Sequence, residues 1–234
     1  VGEIAERFAE VRERALASYR RAVNLPGEPR IVCVTKMQPV ARVEEVIEAG
    51  AAEIGENYLQ EAVRKDVFGL RQTSAVAIRY IGRLQSNKYN AILRLFDSVD
   101  SADPGILERA QDQASPVPIQ AHEFLLEVNA GEEAQKGGLT VRQIRELAAA
   151  RAPWLREISG LMTVVPLQAT METRVKMYES VRELLGELVR DLGSTRLSVL
   201  SMGTSDDFEL ALEHGSTMIR VGTAVFGPRS PFSV

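Results

Sequence analysis

Cysteine is nearly absent from this 234-residue chain; Cys33 is the only one. A single thiol cannot close an internal disulfide, so a reducing, cytoplasmic setting is expected. Two histidines, His122 and His214, leave little material for a metal site. No apolar run reaches the roughly 18 residues that a membrane-spanning helix needs. The opening "VGEIAERFAEVRERALASYRRAV" is charged throughout, unlike a signal peptide. Excess charge of one sign is also missing. A formal net charge of −4 gives no electrostatic reason to expect nucleic acid or an anionic membrane as partner. Lysine is scarce as well, at positions 36, 65, 88, 136 and 176. The first of these sits oddly, at the end of the apolar stretch "IVCVT" and just before Pro39.

What is present is ordinary for a globular domain, 45% hydrophobic and 26% charged. Ile4, Phe8, Val11, Ala15 and Tyr19 recur at helical spacing and predict an amphipathic helix over 1–24. Eight short apolar runs follow: "RIVCVT", "AAEIG", "AVAIRYIG", "LFDSV", "EFLLEVN", "EISGLMTV", "LSVLS" and "TMIRVG". Consecutive apolar positions bounded by turn residues suit parallel strands covered on both faces. Helical patterns lie between them, including a capping-box spacing at Thr140 and Gln143 and a long apolar face near 170–192. No composition shift or repeat marks a second domain. The expectation is one domain over 1–234, a (β/α)₈ barrel spanning 31–227 behind the first helix, with a doubly wound open sheet as the alternative.

Barrel enzymes and binding proteins build their sites at the C-terminal ends of the strands. Those ends here carry Lys36, "GENY", "GRLQSNK", "NAGEEAQKGG", Met162 with Thr163, "SMGTSDD" and "RVGTAVFG". A desolvated lysine amine is a nucleophile suited to Schiff-base formation with carbonyl compounds or with pyridoxal phosphate. Gly222 and Thr223 open a short final helix whose free N–H groups suit an anion such as phosphate. Ser201, Gly203 and Thr204 supply a second rim of the same kind. Arg220, set among apolar strand neighbours, needs an acceptor, and a pyridine nitrogen would serve. Asn57 is either a neighbour of a bound ring or a plain turn residue. Glu56 and Tyr58 read as caps and packing for the next helix, and Asp206 and Asp207 as helix-start carboxylates.

The stretches "VTKMQP", "AGAAEIGENYLQE", "YIGRLQSNK", "SVDS", "EVNAGEEAQKGG", "GLMTV" and "SMGTSDDFELALEHGSTMIRVGTAVFG" resemble the pyridoxal phosphate homeostasis proteins, also called the proline synthase co-transcribed family. They run in that family's order along nearly the whole chain. The resemblance implies a single barrel similar to the N-terminal domain of alanine racemases, the fold-type III pyridoxal phosphate proteins, and a monomer. It implies pyridoxal phosphate joined to Lys36 as a Schiff base. It places the phosphate on Ser201, Gly203, Gly222 and Thr223, the ring nitrogen on Arg220, and Asn57, Met162 and Met202 along the pocket. Such proteins are regarded as carriers or regulators of the cofactor, acting in vitamin B6 and amino-acid balance, with pyridoxal phosphate-dependent apoenzymes as potential recipients.

Three departures stand out. Gln38 replaces a second lysine, Arg79 replaces a histidine that would stack on the ring, and "NAGEE" lacks a hydroxyl of the usual pattern. The planar guanidinium of Arg79 is expected to take over that stacking, or the stacking is lost. Two other functions compete with the carrier. One is a racemase of the same barrel type, which needs a second base and an added domain for which little chain remains after Arg220. The other is a Schiff-base aldolase that uses Lys36 without cofactor.

Overall fold

The computed structural model describes residues 2–22, 27–112, 119–133, 137–166 and 168–228. Eight strands, all paired in parallel, close into one barrel in sequence order. They are β1 (Arg30–Val34), β2 (Glu53–Glu56), β3 (Ala77–Tyr80), β4 (Ser98–Ala102), β5 (Glu123–Glu127), β6 (Gly160–Met162), β7 (Val199–Ser201) and β8 (Met218–Val221). Each overlaps one of the eight apolar runs, because a strand packed on both faces needs apolar residues at consecutive positions; β4 shares only Ser98 and Val99 with "LFDSV" and runs on to Ala102. Closure, which periodicity cannot show, rests on the β1–β8 pairing, where Val32 faces Arg220 and Cys33 faces Val221.

One helix, α1 (Glu3–Arg21), precedes the barrel, and one follows each strand among the described residues. These are α2 (Val40–Glu48), α3 (Leu59–Arg64), α4 (Tyr89–Leu95), α5 (Pro104–Gln111), α6 (Val141–Ala149), α7 (Met171–Leu192), α8 (Phe208–Glu213) and α9 (Thr223–Phe226). Local chemistry sets their ends. Thr140 and Gln143 form the complete capping box of α6, and the Asp103 carboxylate accepts the Ile106 N–H at the start of α5. Asp207 departs from the expected helix-start role. It makes no side-chain cap to α8, and its carboxylate serves the preceding loop.

Two apolar cores result. The larger lies between sheet and helices and takes the outward strand residues, among them Cys33, Ile54, Leu126, Leu161, Leu200 and Val221. The smaller fills the barrel interior with Val32, Leu125, Met162, Val199 and Met218. Below it, toward the N-terminal strand ends, the interior is ionic. Arg79 is 1% exposed and binds Asp100, Glu53 and Glu123, with Nη2 to Asp100 at 2.8 Å and Nη1 to Glu53 at 2.7 Å. Arg30 closes the cluster by pairing with both Glu53 and Glu123 at 2.7 Å. A cavity of about 220 Å³ opens beside these groups at the barrel floor.

Burial alone would lower the guanidinium pKa of Arg79, but the surrounding carboxylates more than compensate and raise it. Burial would raise the Glu123 carboxyl, yet Arg30 and Arg79 outweigh it and pull its pKa down to about 2.

Candidate functional site at the mouth of the barrel

Strand β1 ends at Val34, and Lys36 stands two residues beyond it in a turn, half-buried. Strand alternation sends Arg30, Val32 and Val34 toward the same side, the barrel interior, and Lys36 follows in a turn that the Gln38 N–H closes on the Thr35 carbonyl at 3.1 Å. Register then fixes the neighbours of the lysine. Val34 faces Gly55 on β2, and Lys36 and Asn57 each stand two residues past that last pair. On the other side, Cys33 faces Val221, which sets Gly222 against Val34. A Cβ built on Gly222 would lie 3.6 Å from Cβ of Val34. The lysine, the asparagine and the glycine turn after β8 therefore share one rim.

Arg220 sits two residues below Gly222 on the same inward face and is 5% exposed. Its Nη1 donates to the Ser201 carbonyl at 2.8 Å and to Ser201 Oγ at 2.6 Å, and its Nη2 donates to the Thr163 carbonyl at 2.8 Å. An arginine has five N–H donors, so two stay available to a bound acceptor. Burial pushes its pKa down, while Asp100, Tyr178, Asp207 and Glu127 act in the opposite sense. Ser201 is thus engaged as the seat of Arg220.

The hydroxyl that meets the glycine turn after β8 belongs to Ser205. Its Oγ accepts the backbone N–H of Gly222 at 3.0 Å and of Ala224 at 3.1 Å. The two N–H groups converge on one oxygen, the arrangement in which an anion's oxygen could take the place of the Ser205 hydroxyl as an anion cradle. Because α9 is only four residues long, these local donors matter more than a helix dipole. Ser205 was not among the expected site residues, although it stands in "SMGTSDD"; serine after a glycine turn was the available signal. Its loop is fastened by Asp207, whose Oδ1 accepts the Thr204 N–H at 2.7 Å and whose Oδ2 accepts the Tyr178 hydroxyl at 2.7 Å. Burial, then Asp207, push the Tyr178 pKa up, so that hydroxyl stays a donor. Asp206 is exposed.

Gly203 has φ of 92°, and a Cβ there would come within 2.8 Å of Cα of Phe208. Its carbonyl accepts the Arg220 N–H at 3.1 Å. Thr223 is exposed at the first position of α9. Met162 belongs to the interior core. Met202 is fully buried on the other side, in the sheet–helix core, because it is one residue past inward-facing Ser201. It therefore does not line the rim with its side chain.

Asn57 is half-buried, and its Oδ1 is enclosed with no hydrogen-bond partner. An orphaned buried amide oxygen on Asn57, two N–H donors on Arg220 beyond those it spends on Ser201 and Thr163, and the N–H pair of Gly222 and Ala224 converging on Ser205 Oγ together fit a phosphorylated aromatic cofactor. Gly82 shapes the same corner, since a Cβ there would fall 1.9 Å from the Asn57 carbonyl oxygen. Arg79 offers no stacking surface at this rim, being held in the ionic cluster near the floor. Gln38 accepts from Arg42 at 2.8 Å. Glu56 does not cap α3, being fully buried against Lys65 and Thr35, whereas Tyr58 stands at the N-cap position of α3 without a side-chain cap bond and is 56% exposed. Residues 134–136 of the "NAGEEAQKGG" stretch lie outside the described residues.

The alanine racemase N-terminal domain model matches residues 13–230. The pyridoxal phosphate homeostasis protein of Escherichia coli K12 is 35% identical over 237 residues, covering 98% of each chain. The chain belongs to this family. Its counterpart from Pseudomonas aeruginosa is 35% identical over 230 residues, covering 97% of this chain and 96% of that one. Among solved structures, PipY of Synechococcus elongatus without PLP superposes with a TM-score of 0.83 at 30% identity, covering 96% of this chain and all of that one. PipY with PLP bound gives 0.74 at 29% identity, with the same coverage. An alanine racemase from Streptomyces lavendulae shares the fold, with a TM-score of 0.73 at 16% identity over 99% of this chain and 58% of that one. No helix among the described residues is long and apolar enough to cross a membrane. This homeostasis-protein family member thus has a racemase-type barrel.

Proposed function

We propose that this protein binds pyridoxal 5′-phosphate at the barrel mouth, with Lys36 as its covalent anchor, and serves cytoplasmic vitamin B6 balance as a carrier. What supports the reading is the common rim of neighbouring strands, where Lys36, Asn57 and Gly222 follow the C-terminal ends of β1, β2 and β8. When bound, the cofactor supplies an aldehyde that condenses with a primary amine and releases one water. Lys36 contributes that amine. Ser205 Oγ and the N–H groups of Gly222 and Ala224 hold the phosphate, with Thr223 at the edge and Gly203 shaping the loop. Arg220 presents its spare N–H groups to the ring nitrogen, and Asn57 turns its buried amide toward the ring substituents. Met162 forms part of the floor.

Arg220 also separates the carrier from a racemase. Guanidinium keeps its proton at working pH, so it donates a hydrogen bond to the ring nitrogen without protonating it. A ring so held withdraws electrons weakly, which favours retention over carbanion chemistry. The names of the relatives agree with such a role. Monomeric carriage, with delivery to apoenzymes, completes the reading.

Titration of the wild type and Lys36→Ala with pyridoxal phosphate tests it. The wild type should turn yellow, and borohydride should fix the cofactor on Lys36. Lys36→Ala should lose the reducible adduct yet keep weaker, phosphate-dependent binding. A wild-type protein that stays colourless at saturating cofactor overturns the reading. Incubation of loaded protein with single amino-acid enantiomers should show no racemisation beyond that of the free cofactor; faster turnover would favour the racemase.

A further inference from the structure

Both peptide groups flanking Lys36 are tied to the outside of the barrel. The Thr35 carbonyl accepts Nζ of Lys65 at 2.9 Å, and the Met37 N–H donates to Oε1 of Glu61 at 2.5 Å. Lys65 links the two anchors, since its Nζ also lies 2.9 Å from the same Glu61 oxygen and 2.7 Å from Oε1 of Glu56. The Thr35 hydroxyl donates to that Glu56 oxygen at 2.7 Å. Lys65 and Glu61 are each 10% exposed, and Glu56 is fully enclosed.

The turn these contacts grip is strained. Met37 has φ of 60°, a left-handed conformation that costs a non-glycine residue about 1–2 kcal/mol and persists only where its surroundings enforce it. The enforcing groups stand on α3 and at its end, one turn apart at Glu61 and Lys65, while Glu56 closes β2 with its side chain outward. As a pure stabiliser the cluster is poorly made. Oε2 of Glu56 is buried with no hydrogen-bond partner, and burial raises the Glu56 pKa against the pull of Lys65 and Thr35. Buried ion pairs seldom stabilise more than apolar packing of the same volume. What this one does hold is the direction in which residue 36 leaves the backbone.

We propose that Lys65 and Glu61 are positioning residues for Lys36, clamping the 35–37 turn so that the ε-amine is presented over the anion cradle. The inference rests on the cofactor reading above and adds to it residues that never touch the cofactor. A clamp of this kind governs the approach of amine to aldehyde, not the affinity of the phosphate cradle. Misplacement by an ångström is enough to slow a reaction between positioned groups strongly.

The test uses full-length Lys65→Met and Glu61→Gln beside the wild type, with two probes. Pyridoxine 5′-phosphate carries an alcohol where pyridoxal phosphate carries the aldehyde, so it reports the cradle alone. Its dissociation constant should be unchanged in both variants, while condensation of pyridoxal phosphate, followed by absorbance and borohydride fixing, should be about tenfold slower. Exchange of the Met37 amide hydrogen should also accelerate in both. Lys65→Arg, which keeps the charge and donors, should recover part of the condensation rate. Equal weakening of both probes would show a merely structural cluster and overturn the inference, as would wild-type condensation rates in both variants. If Lys65→Met does not fold, Glu61→Gln decides the question by the same readings. A wild type that binds pyridoxine 5′-phosphate but never fixes pyridoxal phosphate would fault the anchor itself and not its clamp.

Discussion

Nη1 of Arg220 lies 2.6 Å from Oγ of Ser201 and 2.8 Å from the carbonyl oxygen of the same residue. The serine thus fixes the arginine by both its side chain and its backbone, and only the side-chain half can be removed by substitution. Ser201→Ala leaves one donor of a buried cation without its partner, which should cost about 1–3 kcal/mol. Chemical denaturation should show that loss. Cofactor titration should show weaker binding, because the Arg220 plane is then held on fewer points.

Arg79 should prove structural. Replacing it by methionine leaves Asp100 buried without its cation, while Glu53 and Glu123 keep Arg30, a loss on the order of 3–5 kcal/mol. Urea unfolding measures this. Provided the variant is studied where it remains folded, borohydride fixing at Lys36 should be retained. Loss of fixing in a folded variant would mean that the floor reaches the mouth.

Acid should weaken the fold through the same cluster. Arg30 and Arg79 overcome the effect of burial and hold the Glu123 pKa at about 2, below its ordinary 4.5. A carboxylate with a depressed folded-state pKa stabilises the protein above its unfolded value and loses that contribution as pH falls through the folded one. The stabilisation is therefore complete above about 4.5 and disappears toward 2. Denaturation midpoints recorded across this window should fall for the wild type and change less for Glu123→Gln.

Gly203→Ala should fail locally. The left-handed φ of 92° and the 2.8 Å approach to Cα of Phe208 leave no room for a methyl group. The expected loss is about 1–3 kcal/mol for the backbone alone. Phosphate-dependent cofactor binding should drop with it, since Gly203 leads into the Ser205 loop. A variant with wild-type stability and affinity would show that this loop adapts freely.

The barrel was legible in the sequence because parallel strands covered on both faces declare themselves as apolar runs, and because Thr140 and Gln143 mark a helix start by side-chain chemistry alone. Lys36, Asn57 and Gly222 were legible as strand-end residues, and register brings them together. The misreadings share a cause, namely direction. Arg79 and Met202 stand in the right stretches, but alternation and depth decide what a side chain meets. One is carried to the floor and the other into the outer core. Ser205 was overlooked beside Ser201 because nothing in the spacing tells which hydroxyl is spent on an arginine. The Glu61 and Lys65 pair drew no reading from the sequence, for its contacts are with a turn more than twenty residues earlier.

The apolar plug of Val32, Leu125, Met162, Val199 and Met218 has a consequence for traffic. It lies between the rim and the ionic floor, so on the proposed reading a guest seated on the rim enters and leaves through the mouth. Loading and unloading must use the same opening, and whatever receives the guest has to meet it there, face to face with the lysine end of the barrel.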